Sequence, residues 1–208
     1  MGFRLSRCSA SCLRERLPLG LPYFLLFLFV SAGIAAGMRD KGQYTTIGKD
    51  TNENMSGKTY TVKTMAAADY DGLKALWMTI RGFGIRSIDD SREGVERFLK
   101  RNPDTSVVAV GEDGSIVGGI LCGHDGRRGC LYHVCVREDY RRLGIGKAMV
   151  VYCMNALKAE NINKVSLIAF TKNDVGNAFW NCIGWTKRQD LNYYDFTLNE
   201  ANITAFNQ

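Results

Sequence analysis

Residues 130–161 constrain the fold of this chain more than any other part of its sequence. An apolar run, CLYHVCV at residues 130–136, is followed by REDYRRLGIGK and then by a second apolar run, AMVVYCM. The first run predicts a buried strand, and the second opens a helix expected over residues 146–161. Gly144 and Gly146 allow the chain to bend tightly between them. The sequence therefore predicts a strand, a tight basic loop and a helix in direct succession.

This basic loop has the chemistry of an anion site. Its glycines allow successive N–H groups to point the same way, and the helix start adds unpaired N–H groups and the positive end of a dipole. Arg141, Arg142 and Lys147 add positive charge, which suits a pyrophosphate. The alternative is a tight connection with solvated arginines. The pattern is neither G-x-x-x-x-G-K-[ST] nor a dinucleotide fingerprint, which has a third glycine.

The remaining elements alternate around this unit. Apolar periodicity and turn residues predict strands, helices and two hairpins in the order β-α-α-β-β-β-α-β-α-β-β, which is an α/β (α+β) layout with one mixed sheet flanked by helices. The predicted elements are a strand from Tyr60, helices at 66–80 and 91–100, a hairpin at 106–123, a turn at 125–129, strands at 130–136 and 164–170, helices at 146–161 and about 175–182, and a closing strand pair near 186–197.

Charge and cysteine content exclude two classes of site. The formal net charge is +6, and half of this excess precedes Met55, so the rest of the chain is nearly balanced. No strongly basic face is expected, and we predict that nucleic acid is not a partner. The seven cysteines contain no C-x-x-C pair and no histidine at metal spacing, so no metal site is predicted.

The N-terminal region reads as a leader followed by a linker. From Leu17 to Met38 the chain carries no charge, behind an arginine-containing start. This predicts a transmembrane or signal-like segment at 1–38, with membrane contact, a polar linker at 39–57 and a domain at 58–208. By the positive-inside rule the domain would lie outside the cytosol. An internal start at Met38 or Met55 is our preferred hypothesis and leaves the domain cytoplasmic; with residues 1–38 present it is membrane-anchored.

Two motifs carry a resemblance to a known family. The string R-x-x-G-x-G at residues 141–146, after a strand ending in Val134 and Val136, resembles the acetyl-CoA pyrophosphate loop of the GNAT superfamily of N-acetyltransferases. The segment TKNDVGNAFWNCIGW is similar to the next motif of that superfamily, with Asn173, Trp180, Gly184 and Trp185. The resemblance covers residues 59–197, and the stretch GHDGRRGCLYHVCV also looks like small bacterial-type members of the superfamily.

The resemblance implies a mixed, mostly antiparallel sheet in which two central parallel strands, here 130–136 and 164–170, splay apart. Acetyl-CoA, as co-substrate, would lie in the cleft. The backbone from Val134 to Val136 would hold its pantetheine arm and offer one N–H to the thioester oxygen. Asn173 would contact the cofactor or cap the next helix. The pyrophosphate would lie on the loop residues Arg141, Arg142, Leu143, Gly144, Ile145, Gly146 and Lys147.

The sequence departs from the family pattern at two positions, that of the general acid and that of the general base. Trp180 occupies the position at which many relatives carry a tyrosine that protonates the leaving thiolate. An indole N–H cannot act as a general acid. Ile168 replaces the glutamate of some relatives. Strand alternation puts Cys130, Tyr132 and Val134 on one face and the neighbouring His133 on the other. Tyr132 is therefore the predicted catalytic residue, holding a water or positioning the amine, and His133 is predicted to be a core residue.

Two functions follow. The first is an acetyl-CoA-dependent N-acetyltransferase that acts on a primary amine of a small molecule or protein. The second, suggested by Trp180 and Ile168, is a non-catalytic module that binds acetyl-CoA. The sequence names neither the amine nor the oligomeric state.

Overall fold

The computed structural model of the chain describes residues 46–47 and 57–208. The predicted leader at 1–38 lies outside the described residues, and so does most of the predicted linker. Thr46–Ile47 is a short strand within the segment predicted as linker. No helix in the described part of the chain has the length and hydropathy needed to cross a membrane.

Strands and helices alternate largely in the predicted order. The strands are β1 (Thr46–Ile47), β2 (Tyr60–Thr64), β3 (Gly84–Arg86), β4 (Val107–Gly111), β5 (Ile116–His124), β6 (Gly129–Val136), β7 (Val165–Leu167) and β8 (Thr204–Phe206). The α-helices are α1 (Tyr70–Thr79), α2 (Arg92–Arg101), α3 (Ile145–Ala159) and α4 (Asp174–Cys182), and short 3₁₀ turns occupy Ala67–Asp69 and Glu138–Tyr140.

Within the described residues, six strands form one mixed sheet in the order β1-β2-β4-β5-β6-β7. Neighbours in this sheet are antiparallel except for β6 and β7, which are parallel. The predicted turns make the two hairpins, because Gly114 and Gly126 take the positive φ angles of 77° and 90° that their turns require. The mixed, mostly antiparallel sheet with one parallel pair is confirmed.

Helices cover both faces of the sheet and pack closely against the centre of β5. On one face Met149 of α3 is fully buried, and on the other Leu73 of α1 is 1% exposed. A Cβ on Gly118 would lie 2.9 Å from the Met149 Cε, and one on Gly119 would lie 2.5 Å from the Leu73 Cδ1. The two adjacent glycines therefore let one helix approach each face at the same level of the sheet.

The second helix, α2, lies where the sequence predicts it. The Ser91 Oγ accepts the N–H of Gly94 at 3.0 Å, so Ser91 is the N-cap of α2, which begins within one residue of the predicted helix start.

The C-terminal part of the chain differs from the prediction. The strand pair predicted near 186–197 was wrong: residues 187–203 form no strand, and Tyr194, Phe196 and Leu198 are 85 to 94% exposed. Instead β8 pairs with β3 in a separate two-stranded sheet. Three residues of β3 are too few to show a period in the sequence, so this pairing left no local signal.

Candidate active site

The parallel strands β6 and β7 separate after three residues. Gly129 pairs with Val165, Cys130 with Ser166 and Leu131 with Leu167, and no further pairs follow in the described residues. Residues 132–136 on one side and 168–170 on the other therefore border an opening in the sheet. This confirms the splayed central pair.

A β-bulge in β6 lies at the start of this opening. Opposite β5, Leu121 pairs with Tyr132 and Gly119 pairs with Cys135, so one residue of β5 faces two residues of β6. His133 has a φ angle of 50°, which is rare for a residue with a side chain. Bulges of this kind bend a strand and redirect its side chains.

The bulge overturns the strand alternation on which one sequence prediction rested. Tyr132 contacts Phe98, and His133 contacts Trp77 and Phe83, so both side chains lie on the face that α1 and α2 cover. Val134 packs on the opposite face, against the core beneath α3. The prediction that Tyr132 and His133 point to opposite faces was wrong, because the extra residue shifts the alternation.

The predicted anion loop lies at the end of this opening. Gly144 is the N-cap of α3, with φ 80° and ψ −7°, and Arg142 also has a positive φ of 67°. The first-turn N–H groups, from Ile145 onward, have no partner inside the helix. Buried Ile145 anchors the helix start. The loop therefore presents backbone donors and the positive end of α3.

Charge and packing complete the loop. The three cations Arg141, Arg142 and Lys147 are exposed and form no ion pair with any described residue. The Arg141 Nε donates to the Val136 carbonyl at 3.3 Å, which ties the loop to the end of β6. A Cβ on Gly146 would lie 3.2 Å from the Phe179 ring, so a side chain there would crowd α4. The structure thus brings the predicted loop residues and Val136 together.

Asn173 is the N-cap of α4, just beyond the opening. Its Oδ1 accepts the N–H of Gly176 at 2.9 Å. The capping alternative is therefore present, and the Nδ2 group makes no hydrogen bond to the described residues.

Trp180 packs as an aromatic residue within α4. Its ring lies 5.0 Å from that of Phe179 and 4.9 Å from that of Trp185, centroid to centroid. All three border the core beneath α3. The indole thus has a packing role between two other aromatic rings.

Tyr132 stands in a groove on the α2 side of the sheet, at the end where β6 begins. The groove has a volume of about 480 Å³ and is lined in part by Phe98, Arg101, Arg128 and Ser166. Partial burial, with a smaller contribution from a hydrogen bond to Cys130, raises the pKa of Tyr132 to about 12. Its hydroxyl is therefore neutral at physiological pH and can position a polar group but not act as a base.

One pair of residues near the opening was not predicted. The Nε2 of His133 lies 2.7 Å from the Oδ1 of Asp90, which is 3% exposed. Burial raises the pKa of Asp90, but hydrogen bonds from His133 and from the Arg86 N–H outweigh this effect and lower it overall. The sequence showed Asp90 only as one of several charges between α1 and α2, and nothing in its spacing linked it to β6.

Known proteins resemble this chain in sequence and in fold. The sequence model of a family described as "Acetyltransferase (GNAT) family" matches residues 73–185, more than half of the chain. An acetyltransferase of Sodalis glossinidius (strain morsitans) is 34% identical over 106 residues, which are 51% of this chain and 72% of that protein.

Two solved structures share the fold. A GNAT-family acetyltransferase from Staphylococcus aureus Mu50 has a TM-score of 0.53 and 20% identity, covering 64% of this chain and 89% of that one. The aminoglycoside N-acetyltransferase AAC(6')-Iy, solved in complex with CoA, has a TM-score of 0.53 and 13% identity, covering 69% of this chain and 98% of that one.

Proposed function

This chain belongs to the GNAT family of acetyltransferases, and we propose from this that it transfers the acetyl group of acetyl-CoA directly to a primary amine of a small molecule or protein. The observation that carries the proposal is the open start of α3 beside the separated strands β6 and β7. A helix N-terminus with unpaired cations suits a pyrophosphate, and a gap between parallel strands suits an extended arm.

The residues present fit acetyl-CoA both at the start of α3 and along the opening between β6 and β7. Gly144 holds the left-handed backbone that exposes the first N–H groups of α3, and Arg142 and Lys147 are not neutralised by described carboxylates. Residues 134–136, which do not pair with β7, border the opening, and their backbone would bind the pantetheine arm. Asn173 would add its free amide N–H to that arm while it caps α4. The cofactor supplies an activated thioester.

The groove around Tyr132 is the acceptor site in this proposal. The groove lies at the start of β6, and the anion loop follows the end of β6. Tyr132 lines the groove on the side that leads along β6 towards the loop. Arg101 and Arg128 carry positive charge there, and the carboxylate of Asp125 is the one described negative group among the lining residues. The net charge is positive, which favours an amine that also carries a carboxylate or phosphate.

The thermal unfolding midpoint of the full chain, with and without saturating acetyl-CoA, tests cofactor binding. Ligand at a hundred times its Kd stabilises the native state by about 2.7 kcal/mol, which is a shift of several degrees. Arg142→Glu should reduce the shift, and Arg127→Glu, a reversal in the other basic loop, should leave it intact. No shift in the unaltered protein would contradict the proposal.

Thiol release in the presence of amines tests catalysis. Acetyl-CoA is mixed with glycyl dipeptides, glucosamine 6-phosphate, spermidine or kanamycin, and free CoA is measured. Amine-dependent release supports the enzyme. Tight binding without release from any amine supports the non-catalytic module instead. Because acetyl-CoA is a cytosolic metabolite, we place the domain in the cytoplasm.

A further inference from the structure

We propose that His133 is the base that removes a proton from the acceptor amine, and that Asp90 is its positioning residue. This inference rests on the proposed function and adds a group that the sequence pattern assigned to the core. It is carried by the geometry of one imidazole at the start of the opening in the sheet.

The hydrogen bond to Asp90 decides which nitrogen of His133 is free. Asp90 accepts the backbone N–H of Arg86 at its Oδ2, at 2.6 Å, and faces the His133 Nε2 with its Oδ1, at 2.7 Å. An ionised carboxylate only accepts, so Nε2 carries the proton and donates it. The lone pair of Nδ1 therefore remains available, and Nδ1 makes no hydrogen bond to the described residues.

The ring is fixed in place yet still reachable. Its centroid lies 4.8 Å from the ring of Trp77 and 4.9 Å from that of Phe83, and 12% of the His133 side chain is exposed. Packing against these two neighbouring rings limits the rotation of the imidazole. A base held in this way loses little entropy when it meets its partner.

The bulge puts this imidazole beside the path proposed for the thioester. His133 lies two residues beyond the last parallel pair and directly precedes Val134. It lies on the same face as Tyr132, which lines the proposed acceptor groove. Without the extra residue, the side chain would point into the core beneath α3. The positive φ of His133 is thus explained by the function of its side chain.

Two other titratable groups on β6, Cys135 and Tyr132, and the histidine at the end of β5 do not provide a base. Burial raises the pKa of Cys135 to about 12, and Tyr132 has a similarly raised pKa, so both are neutral at physiological pH. The second histidine, His124, accepts the N–H of Gly126 with its Nδ1, so its neutral ring has no free lone pair. Of these four side chains, His133 is therefore the one that can accept a proton from an amine beside the opening.

Two further groups act on the pair from neighbouring elements. Arg86 of β3 lies close enough to favour the ionised form of Asp90. The hydroxyl of Tyr70 in α1 donates to the Asp90 backbone carbonyl at 3.0 Å and fixes the turn that carries the carboxylate. Arg86 thus favours the ionised carboxylate, and Tyr70 keeps the turn of Asp90 in position.

The proposed step is balanced with the groups named. The Nδ1 of His133 takes one proton as the amine nitrogen forms its bond to the acetyl carbon and the C–S bond breaks. The proton then passes from Nδ1 to the departing thiolate or to water. Asp90 remains ionised throughout and stabilises the imidazolium, as the carboxylate does wherever it is paired with a histidine that acts as a general base.

The test combines NMR with kinetics on the full chain. With ¹⁵N-labelled histidine, and with His124→Asn to remove the second signal, neutral His133 should show a protonated Nε2 and a bare Nδ1. In Asp90→Asn the preference for this tautomer should weaken, because the neutral amide is a weaker acceptor than the carboxylate. The pH dependence of the same signals gives the midpoint of ring protonation.

With the most active of the amines tested, kcat/KM should fall at acidic pH. This acidic limb of the pH profile should have the same midpoint as the protonation of the ring seen by NMR. His133→Gln should lower kcat by about 10² to 10⁴ and remove the limb while retaining the acetyl-CoA thermal shift. Phe83→Leu, which loosens the same packing, should keep the limb. A protonated Nδ1, a ring that does not titrate, or a limb that survives in His133→Gln overturns the inference. An unaltered protein that transfers no acetyl group refutes the proposed function instead, and the NMR result still judges the pair.

Discussion

The carboxylate of Asp90 and the imidazole of His133 meet at 2.7 Å although 43 positions separate them in the chain. The contact joins the turn before α2 to the bulge in β6. Because both side chains are nearly buried, replacing either one affects stability as well as chemistry.

Asp90 should make the stability of the protein depend on pH at the acidic end. Its folded pKa lies below the ordinary value, so its contribution is present above about pH 4 and is lost as pH falls through the folded pKa. Asp90→Asn should cost about 1–3 kcal/mol near neutral pH. Urea unfolding between pH 2 and 7 should show a flatter pH dependence in the variant; parallel curves would contradict this prediction.

Gly144 should matter to the cofactor beyond its effect on the backbone. Gly144 and Gly114 have φ angles of 80° and 77°, so an alanine at either position costs about 1–2 kcal/mol. Only Gly144→Ala adds a methyl group at the start of α3. Calorimetric titration should show weaker acetyl-CoA binding in this variant and unchanged binding in Gly114→Ala; equal binding in both would remove the loop from the site.

Arg128 should select the acceptor. Arg128→Glu should raise KM at least tenfold for an amine that carries a phosphate, since it removes a charged hydrogen bond worth about 1.5–3 kcal/mol. Arg127, its neighbour, does not line the groove, and Arg127→Glu is the matched control. Steady-state kinetics with glucosamine 6-phosphate and spermidine should separate the two variants. An identical change of KM in both variants would contradict the assignment of this groove as the acceptor site.

Trp180 should be important for packing and dispensable for proton transfer. Its indole cannot donate a proton to the thiolate, and a thiol with a pKa of about 8.5 leaves with little help. Trp180→Phe should therefore keep kcat within about threefold while lowering stability by about 1–3 kcal/mol. Turnover and thermal unfolding are measured together. A hundredfold loss of kcat in a folded variant would assign the indole a chemical role.

Gly119 and Leu73 should be strongly coupled. Gly119→Ala introduces a Cβ 2.5 Å from the Leu73 Cδ1, and overpacking of this kind costs about 1–3 kcal/mol. Leu73→Ala costs about 2–5 kcal/mol through the cavity it leaves. In the double variant the added methyl group should cost nothing further. A double-mutant cycle from denaturant unfolding measures this coupling, and additive effects would rule out the contact.

The parts of the fold that were predicted from the sequence are those with local signals. Ser91 caps its helix, and Gly114 turns its hairpin, because each acts on residues within a few positions. The strand, loop and helix around Gly144 formed for the same reason. These elements position the proposed cofactor site, so most of that site was predictable.

The remainder depends on contacts between distant residues. The bulge at His133 is a matter of register between β5 and β6, and strand alternation alone placed its side chain on the wrong face. The pairing of β3 with β8 joins Gly84 to Phe206 across most of the domain. No spacing rule applied to one segment at a time detects such pairs, and the proposed catalytic pair is among them.

The short contact between β6 and β7 has a consequence for the range of acyl groups the site can accept. Three residue pairs hold β7 against β6 at the edge of the sheet, whereas six pairs join β6 to β5. Moving β7 outward disrupts few hydrogen bonds and leaves the other five strands in place. We therefore expect the enzyme to tolerate propionyl and butyryl thioesters with only modest losses in rate.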